Sequence, residues 1–232
     1  MLAEELPLNE TFTSFQGEGP YAGNLAFFVR LGHCNLHCPV CDSKPTWDTS
    51  QYSLDETCPP TDMVEVRHKA KLSKARFLIL TGGEPLIWQA RPAFTKFFNI
   101  PRMKTHVETN GTLAPLVRTM EGIEHFTVSP KLSTMGAADP RKRRINPEAL
   151  ERFRELAESG RACFKFVVAT PFDLDEVREF ARLYKMTPDS VWIMPEGTDA
   201  DVLIERQQEL AERAARMKFN FSTRLHILNK QR

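Results

Sequence analysis

The sequence predicts an α/β protein whose mostly parallel sheet forms a barrel or part of one. Short β-rich runs alternate with helix-like segments, and four of these runs lead directly into polar or glycine-containing loops. Strands that alternate with helices form βα units, in which the strands run parallel. No linker, repeat or low-complexity tract divides the 232 residues, so we expect one domain spanning residues 1–232.

The strands are predicted where β-branched and aromatic residues cluster. Such runs lie at residues 25–31, 76–81, 104–109, 124–129, 163–168 and 190–195, and residues 221–228 are a possible seventh. Helical segments are predicted near residues 61–74, 89–98, 112–119, 147–159, 173–184 and 199–217. The last of these helices has a candidate N-cap at Thr198. The pattern therefore contains about six βα units.

Composition narrows the class of protein. Lysine and arginine (31) nearly balance aspartate and glutamate (30), which gives no support for a nucleic-acid or membrane surface. The N-terminal residues lack the pattern of a signal peptide, and the apolar runs are far shorter than the roughly 18 residues of a membrane span. Three of the five cysteines are too crowded for a disulfide scaffold. We expect a soluble cytoplasmic protein with reduced thiols.

Polar motifs fall at the carboxyl ends of the predicted strands. Four strands lead into the motifs "TGGEP", "ETNGT", "SPK" and "MPEG", and the clustered cysteines follow the first strand. Parallel α/β folds build their functional sites at this rim. We therefore expect the motifs to meet in one site.

The clustered cysteines, Cys34, Cys38 and Cys41, have the spacing C-x3-C-x2-C. Structural zinc usually takes four ligands, so Cys58 or a nearby histidine would have to complete a zinc site. Three thiolates also suit a four-iron cluster with one iron open to another ligand. The spacing alone leaves both metals open. Cys163 is interpreted as a core residue in a strand, and Cys58 as incidental.

The glycines of "TGGEP" permit a close approach of another group, because they lack side chains. The peptide groups of Gly82 and Gly83 are candidates to hold a polar ligand, and Glu84 adds a carboxylate. The same residues also suit a tight strand-to-helix turn, with Pro85 at the first helical position.

Together these motifs resemble the radical S-adenosylmethionine enzymes, whose signature is C-x3-C-x2-C after the first strand and G-G-E-P after the second. Within that superfamily the chain resembles the 7-carboxy-7-deazaguanine synthase family. The motifs that carry the resemblance are "FTSFQGEGPYAG", "FFVRLGHCNLHCPVCDSKPTWD", "LTGGEPL", "VETNGT", "VSPK", "FKFVV", "IMPEG" and "RLHIL". The resemblance implies a partial, distorted parallel β/α barrel and a carbon–nitrogen lyase of queuosine and deazapurine biosynthesis.

The resemblance implies that Cys34, Cys38 and Cys41 ligate a [4Fe–4S] cluster whose fourth iron takes S-adenosylmethionine. It implies no catalytic side chain beyond the cluster and this cofactor. The cofactor pocket is expected at Val40, Asp42, Gly82, Gly83, Glu84, Ser129, Pro130, Lys131, Met194, Pro195, Glu196 and Gly197.

The implied substrate is 6-carboxy-5,6,7,8-tetrahydropterin, which would become 7-carboxy-7-deazaguanine with loss of ammonia. Arg30 can offer a planar fork to its carboxylate. Mg²⁺ is implied at Ser43, where the family has a threonine, because serine keeps the hydroxyl oxygen. A turn cap formed with Asp42 is the alternative for Ser43. The expected substrate-binding residues are Phe15, Gln16, Gly17, Glu18, Arg30, Thr81, Glu108 and Asn110.

Three features depart from the family pattern. Val40 stands where relatives often have an aromatic residue, "RLHIL" continues into "NKQR", and "AADPRKRR" has no counterpart. The basic run at residues 141–144 is expected to be a solvated loop before a helix that begins near Pro147, with phosphate binding as the alternative. These departures leave open a cluster enzyme with a changed substrate.

The sequence leaves two further functions open, an activating enzyme for a glycyl-radical protein and a non-catalytic zinc-binding module. The expected partners are the pterin substrate, a reductant protein such as flavodoxin or ferredoxin, and a second copy in a homodimer. We expect neither nucleic acid nor membrane as a partner.

Overall fold

The computed structural model describes residues 2–230, which form a nine-stranded sheet flanked by helices. The strands are β1 (Glu5–Phe15), β2 (Leu25–Leu31), β3 (Pro60–Asp62), β4 (Phe77–Gly82), β5 (Lys104–Thr109), β6 (His125–Val128), β7 (Ala162–Val168), β8 (Val191–Pro195) and β9 (Asn220–Phe221). The α-helices are α1 (Leu54–Thr57), α2 (Met63–Leu72), α3 (Val117–Gly122), α4 (Arg141–Arg144), α5 (Pro147–Glu158), α6 (Pro171–Leu183), α7 (Ala200–Arg216) and α8 (Leu225–Leu228). Short 3-10 turns lie at Gly19–Tyr21, Lys44–Thr46, Pro85–Trp88, Pro92–Phe97 and Pro188–Ser190.

The sheet is open, with the strand order β3-β1-β2-β4-β5-β6-β7-β8-β9. From β2 to β9 every neighbouring pair is parallel, as βα units require. β1 is antiparallel to both of its neighbours, β2 and β3. The predicted partial parallel barrel is confirmed, with an antiparallel extension at one edge.

The two faces of the sheet bury different amounts of apolar surface. Successive side chains of a strand point to opposite faces. Phe27 and Leu31 of β2 join a large apolar core with residues of the helices. The intervening residues Ala26 and Phe28 belong to a separate, much smaller cluster. Only the second face leaves room for polar groups.

That second face becomes polar toward the carboxyl ends of the strands. Ala26 is in register with Phe77 at the start of β2 and β4, whereas Arg30 is in register with Thr81 near their ends. In β5, Glu108 takes the corresponding place beside Thr127 of β6. The strand ends therefore direct charged and hydroxyl groups into the open side of the sheet.

Strand β1 was not predicted. Most of its 11 residues are half-exposed, and it contains Pro7, so it lacks the continuous apolar run of the central strands. Its pairing with β2 shows a register shift between Leu8 and Glu10. An edge strand that is antiparallel and partly solvated carries a weaker sequence signal.

The predicted seventh strand at residues 221–228 is wrong for most of its length. β9 ends at Phe221, and Leu225–Leu228 forms the short helix α8. The Leu225 amide donates to the Gly17 carbonyl at 2.9 Å, so this segment packs against the loop after β1 instead of extending the sheet.

Three local expectations also need correction. The N-cap of α7 is Asp199, whose side chain accepts from the amides of Asp201 and Val202, and Thr198 lies before the cap. The helix expected at residues 89–98 consists of 3-10 turns that begin at Pro85 and Pro92. The basic run at 141–144, expected to be a loop, is a single helical turn.

Within residues 2–230, no helix combines the length and apolar character needed to cross a membrane.

Candidate active site

A cavity of about 280 Å³ opens at the carboxyl ends of the parallel strands. The cysteine loop after β2 forms one wall, and the loops after β1 and β9 form another. Its charged and thiol-bearing lining residues are Glu18, Arg30, Cys34, Cys38, Cys41, Asp42, Glu108, Lys131, Lys165, Glu196, Arg224 and His226. The polar motifs therefore meet in one site, as the sequence predicted.

The three clustered cysteines are half-buried free thiols in the wall of this cavity. The Leu36 amide donates to Cys34 Sγ at 3.4 Å, and Trp47 Nε1 donates to Cys41 Sγ at 3.3 Å. Hydrogen bonds to sulfur tune the potentials of iron–sulfur clusters. Burial raises the pKa of Cys34 to about 12 and raises that of Cys38, so a bound metal would have to supply the positive charge that stabilises the thiolates.

The number and spacing of these thiols suit a four-iron cluster. In residues 2–230, no group of three or more histidine, cysteine, aspartate or glutamate side chains is placed to hold one metal ion. In a four-iron cluster each cysteine binds a different iron, so the sulfur atoms need not converge. The donor set therefore fits the cluster that the resemblance implied.

Gly82 and Gly83, at the end of β4, pack against the segment that leads from β2 into the cysteine loop. The Gly83 amide donates to the Leu31 carbonyl at 3.1 Å, and the Glu84 amide donates to the His33 carbonyl at 2.8 Å. A Cβ atom on Gly83 would lie 2.0 Å from the His33 oxygen. The absent side chains therefore allow the two loops to touch. The N–H groups of Gly83 and Glu84 are thus bonded within the protein, and the expected contact of Gly82 and Gly83 with a ligand stays a prediction.

Glu84 lies behind the cavity wall. Its carboxylate accepts from Thr109 Oγ1 at 2.8 Å and from the Asn110 amide at 2.7 Å, and it is fully buried. Burial raises its pKa to about 7. The Asn110 side chain in turn donates to Asn35 Oδ1 at 2.9 Å, within the cysteine loop. Glu84 thus braces the loops that form the wall.

An ionic network, buried except at the half-exposed Asp42, joins four distant parts of the chain. Glu18 accepts from Lys165 Nζ and from Arg224 Nε, the latter at 3.1 Å. Arg224 also donates to Asp42 Oδ2 at 2.6 Å and to the Gly197 carbonyl at 2.8 Å. The network connects the loop after β1, the strand β7 and the segment before α8 to the residue that follows Cys41.

The charges in this network keep one another ionised. Burial opposes ionisation of Glu18, but Lys165 and Arg224 outweigh it and lower the pKa of Glu18 to about 2. Burial likewise opposes the charge of Lys165, but Glu18 and Glu108 outweigh it and raise the pKa of Lys165. The cavity therefore presents fixed charges of both signs at neutral pH.

Arg30 and Ser43 lie side by side at the edge of the cavity. Arg30 donates from Nε to Glu10 Oε1 and from Nη1 to Ser43 Oγ, both at 2.9 Å. The Ser43 hydroxyl donates to Asp42 Oδ1 at 3.1 Å. The oxygens of Ser43 and Asp42 are of the type that Mg²⁺ prefers. The Arg30 guanidinium already donates a hydrogen bond to the Ser43 hydroxyl, so a metal ion at Ser43 would compete with Arg30 for this oxygen.

Glu108 links two of the residues predicted to bind substrate. It accepts from Gln16 Nε2 and from Thr81 Oγ1, both at 2.9 Å. Gln16, Thr81 and Glu108 all line the cavity. The three side chains form a polar surface suited to the donor and acceptor edge of a heterocycle.

Most of the predicted site residues line the cavity. They are Phe15, Gln16, Gly17, Glu18, Arg30, Cys34, Cys38, Val40, Cys41, Asp42, Ser43, Thr81, Gly82, Gly83, Glu108, Asn110, Ser129, Lys131, Met194 and Glu196. Glu84, Pro130, Pro195 and Gly197 are not among the lining residues. The roles of all these residues remain predictions.

The polar and aromatic lining residues that the sequence did not predict as site residues include Trp47, Lys165, Thr198, Arg224 and His226. A lysine inside the apolar run "FKFVV" was a signal for Lys165. The motif "RLHIL" contains Arg224 and His226, but its apparent strand pattern concealed them. Gly17 accommodates His226, because a Cβ there would lie 2.0 Å from the His226 Nδ1 atom.

Comparison with known proteins agrees with this geometry. Residues 15–124 match the family model of a 4Fe-4S single cluster domain. The structure of QueE from Escherichia coli aligns with a TM-score of 0.68 and 24% identity, covering 96% of this chain and 95% of that one, which shows the shared fold. The open parallel sheet and the three-cysteine loop define a radical S-adenosylmethionine enzyme.

Two curated relatives narrow the class. The 7-carboxy-7-deazaguanine synthase of Hyperthermus butylicus is 33% identical over 94% of this chain and 90% of its own length. The enzyme of the same name from Pyrobaculum aerophilum is 32% identical over 94% of this chain and 92% of its own length. The chain belongs to the 7-carboxy-7-deazaguanine synthase family.

Proposed function

We propose that this chain converts 6-carboxy-5,6,7,8-tetrahydropterin to 7-carboxy-7-deazaguanine with loss of ammonia. The observation that carries the proposal is one cavity that joins three half-buried cysteines to a polar rim of fixed charges. Substrate and product differ by one ammonia, so the conversion needs no net oxidant. The family membership supports this assignment.

Cys34, Cys38 and Cys41 would hold the [4Fe–4S] cluster, and S-adenosylmethionine would bind beside it. When bound, the two groups would supply the radical chemistry that removes a hydrogen atom from C6 of the pterin and later returns it. The protein's task is to orient the substrate and exclude competing reactions. The remaining residues of the cavity are assigned to that task.

The cofactor would lie against the wall formed by the cysteine loop and three strand ends. We assign its contacts to Val40, Asp42, Gly82, Gly83, Ser129, Lys131, Met194 and Glu196, which line the cavity. Four other residues predicted for the cofactor pocket do not line the cavity and would position its wall from behind. They are Glu84, Pro130, Pro195 and Gly197. For Glu84 the three donors to its carboxylate support such a positioning role.

The substrate would lie against the polar rim. Arg30 can pair with the pterin carboxylate through its planar guanidinium. Gln16, Glu18 and Glu108 would meet the donor and acceptor groups of the ring, because a buried polar edge requires partners. The remaining predicted substrate contacts are Phe15, Gly17, Thr81 and Asn110.

Mg²⁺ would bind at Ser43, beside the substrate carboxylate. The Ser43 hydroxyl and the Asp42 carboxylate supply two neighbouring oxygens, which supports this assignment. Arg30 would have to give up its hydrogen bond to Ser43 when the metal binds. The freed guanidinium would then be available for the substrate.

Three further properties belong to the proposal by analogy with the family. The enzyme would be cytoplasmic, would form a homodimer, and would take its electron from a flavodoxin or ferredoxin. Light scattering of the purified protein at several concentrations would test the dimer. A monomer at every concentration would contradict it.

The deciding experiment is an anaerobic assay with S-adenosylmethionine, a reductant, Mg²⁺ and 6-carboxytetrahydropterin, followed by mass spectrometry. Wild-type protein should form 7-carboxy-7-deazaguanine. Cys38→Ala should lose the cluster and the product, whereas Cys58→Ala should keep both, because Cys58 is buried against Gly32 and does not line the cavity.

The alternatives predict other results. Cleavage of S-adenosylmethionine without the deazaguanine product would reject the substrate and leave the class intact. Such a result would favour a changed substrate or the activation of a glycyl-radical protein. A colourless, zinc-loaded protein that leaves S-adenosylmethionine intact would reject the enzyme class.

A further inference from the structure

We propose that the basic helix α4 forms the docking surface for an acidic one-electron carrier protein. We define the carrier surface as the exposed side chains of Arg141, Lys142 and Arg143. The proposal rests on the proposed function, because only a cluster enzyme needs this electron. It gives a role to the basic run, which the active site does not use.

The carrier surface is bonded directly to the loop that contains the cysteines. Arg143 Nε donates to the Asn35 carbonyl at 2.9 Å. Asp139, whose side chain is 1% exposed, accepts from the His37 amide at 2.6 Å. Asn35 and His37 both lie between Cys34 and Cys38, so the carrier surface and the cysteine loop form one continuous structure.

A second set of contacts fixes the other end of α4. Arg144 donates to the Lys131 carbonyl at 2.5 Å, and its side chain packs against Gly136. Arg144 is half-buried, and Arg143 is held by Asn35 and Asp139. These two arginines orient the helix, which leaves Arg141 and Lys142 to meet a partner.

The charge of α4 is unusual for this protein. Six arginines on α5, α6 and α7 pair with acidic residues three or four positions away on the same helix. On α4, all four residues are basic, and neither Arg141 nor Lys142 has an ion pair with another residue in the 2–230 region. The whole chain carries a net charge of only +1, so α4 concentrates positive charge at one place.

Electron transfer explains why charge should be concentrated there. Electron-transfer complexes are small and transient, and complementary charge speeds their formation. An electron carrier must approach the cluster closely, because transfer slows steeply with distance. The side chain of His37, between Cys34 and Cys38, is 48% exposed and contacts Asp139 just before α4, so the cysteine loop reaches the surface beside this helix. In the electron-transfer step the carrier loses one electron and the cluster gains it. No bond is made or broken, and no proton is transferred.

The test compares two double variants with equal changes of charge. Arg141→Glu/Lys142→Glu reverses two charges on the carrier surface. Lys69→Glu/Lys71→Glu reverses two exposed charges near the end of α2, which precedes β4 and so lies toward the opposite rim of the sheet. For each cluster-loaded protein we would measure binding of oxidised flavodoxin and the anaerobic rate of cluster reduction by reduced flavodoxin. Reduction by dithionite, a small diffusible reductant, provides the internal control.

We expect Arg141→Glu/Lys142→Glu to weaken flavodoxin binding and to slow reduction by flavodoxin by about tenfold or more at low ionic strength. The difference should shrink as salt is added. Dithionite reduction should be unchanged, and Lys69→Glu/Lys71→Glu should behave like wild type. Equal rates for both double variants would overturn the proposal.

The proposed function can fail separately. Loss of product formation with dithionite in the wild-type protein would reject the substrate, whereas the flavodoxin rates would still report on docking. Binding of a short single-stranded RNA that is lost in Arg141→Glu/Lys142→Glu, with unchanged flavodoxin rates, would assign α4 to nucleic acid and overturn docking of the carrier.

Discussion

Arg224 and Asp42 form a 2.6 Å hydrogen-bonded ion pair that ties the C-terminal segment to the residue directly after Cys41. The same guanidinium holds Glu18 at 3.1 Å. One side chain thus fixes both walls of the active-site cavity. Arg224 is a positioning residue, since it holds Glu18 and Asp42, which line the active-site cavity.

Replacing Arg224 by methionine should destabilise the protein by about 2–4 kcal/mol, because Glu18 and Asp42 lose a buried partner. Product formation should fall on the order of 100-fold, because the cavity walls would shift. Unfolding and steady-state rates would be measured for Arg224→Met and for Arg224→Lys, which keeps the charge and should recover part of both. Arg213→Met, at an exposed helical pair, should change little. A wild-type rate for Arg224→Met would contradict the positioning role.

Glu18 and Lys165 should show strong energetic coupling. The single changes Glu18→Gln and Lys165→Met each leave one buried charge with fewer partners, whereas the double variant removes both charges. A double-mutant cycle should therefore give a coupling of about 1–3 kcal/mol. Additive effects of the two changes would show that the pair contributes nothing specific.

The pH dependence of this pair has a defined sign. The pKa of Glu18 falls from 4.5 to about 2 in the folded protein. The stabilisation is fully present above pH 4.5 and is lost as pH falls through about 2. Glu18→Gln should remove that part of the acid-induced loss of stability.

Gly83→Ala should prevent the cysteine loop from packing against β4. The added Cβ would lie 2.0 Å from the His33 carbonyl oxygen and 3.0 Å from Cys34 Cβ. We expect a loss of more than about 3 kcal/mol, as for severe overpacking, and poor incorporation of the cluster. The control is Gly160→Ala, where nothing lies within 4 Å and only the positive φ angle of 72° is strained. Its cost should be about 1–2 kcal/mol, with normal iron content. Equal effects at both glycines would contradict this account of the loop.

Ser43 offers a test of the magnesium assignment. Ser43→Ala should abolish the stimulation of product formation by Mg²⁺, whereas Ser43→Thr should keep it, because only the hydroxyl oxygen would bind the metal. Product formation would be titrated with Mg²⁺ in each variant. A Ser43→Ala enzyme that responds to Mg²⁺ as wild type does would place the metal elsewhere and leave Ser43 as a partner of Arg30.

Two buried histidines should make the protein sensitive to mild acid. Burial lowers the pKa of His125 from 6.5 to about 4, and burial together with His125 lowers that of His106 to about 3. Such groups bind protons more readily when unfolded. The contribution of these two histidines to stability should therefore be constant above pH 6.5 and fall as pH decreases toward about 4 and 3. Glu84, whose pKa is raised to about 7, contributes the opposite trend between pH 7 and 4.5.

His125→Phe should flatten this decline. Neither ring nitrogen of His125 makes a well-formed hydrogen bond in the 2–230 region, so a phenyl ring loses only the weak interaction with the Gly160 backbone that slightly opposes the lowering of the pKa. Urea unfolding measured between about pH 5 and pH 7 should show a slope smaller by up to about 1.4 kcal/mol per pH unit than in wild type. The exposed His68→Gln variant should keep the wild-type slope. An unchanged slope in His125→Phe would contradict the prediction.

The amino-acid sequence determined the central sheet and the identity of its functional loops. Buried parallel strands such as β4 are nearly continuous apolar runs, so their pattern is visible without neighbours. The three cysteines lie within a single loop, and their spacing is local. Because each motif follows a parallel strand, the shared rim of the sheet could be predicted before any contact was known.

Only the tertiary structure decided which side chains complete the cavity. Lys165 bonds Glu18 across 147 positions, and Arg224 bonds it across 206 positions. No local periodicity encodes a partner at such distance. The edge strand β1 and the helix α8 were missed for a related reason, since each is stabilised by contacts with remote segments and not by its own apolar pattern. Local sequence patterns therefore predicted the cysteine loop and the strand ends, whereas long-range packing of charged groups determined how the site is closed.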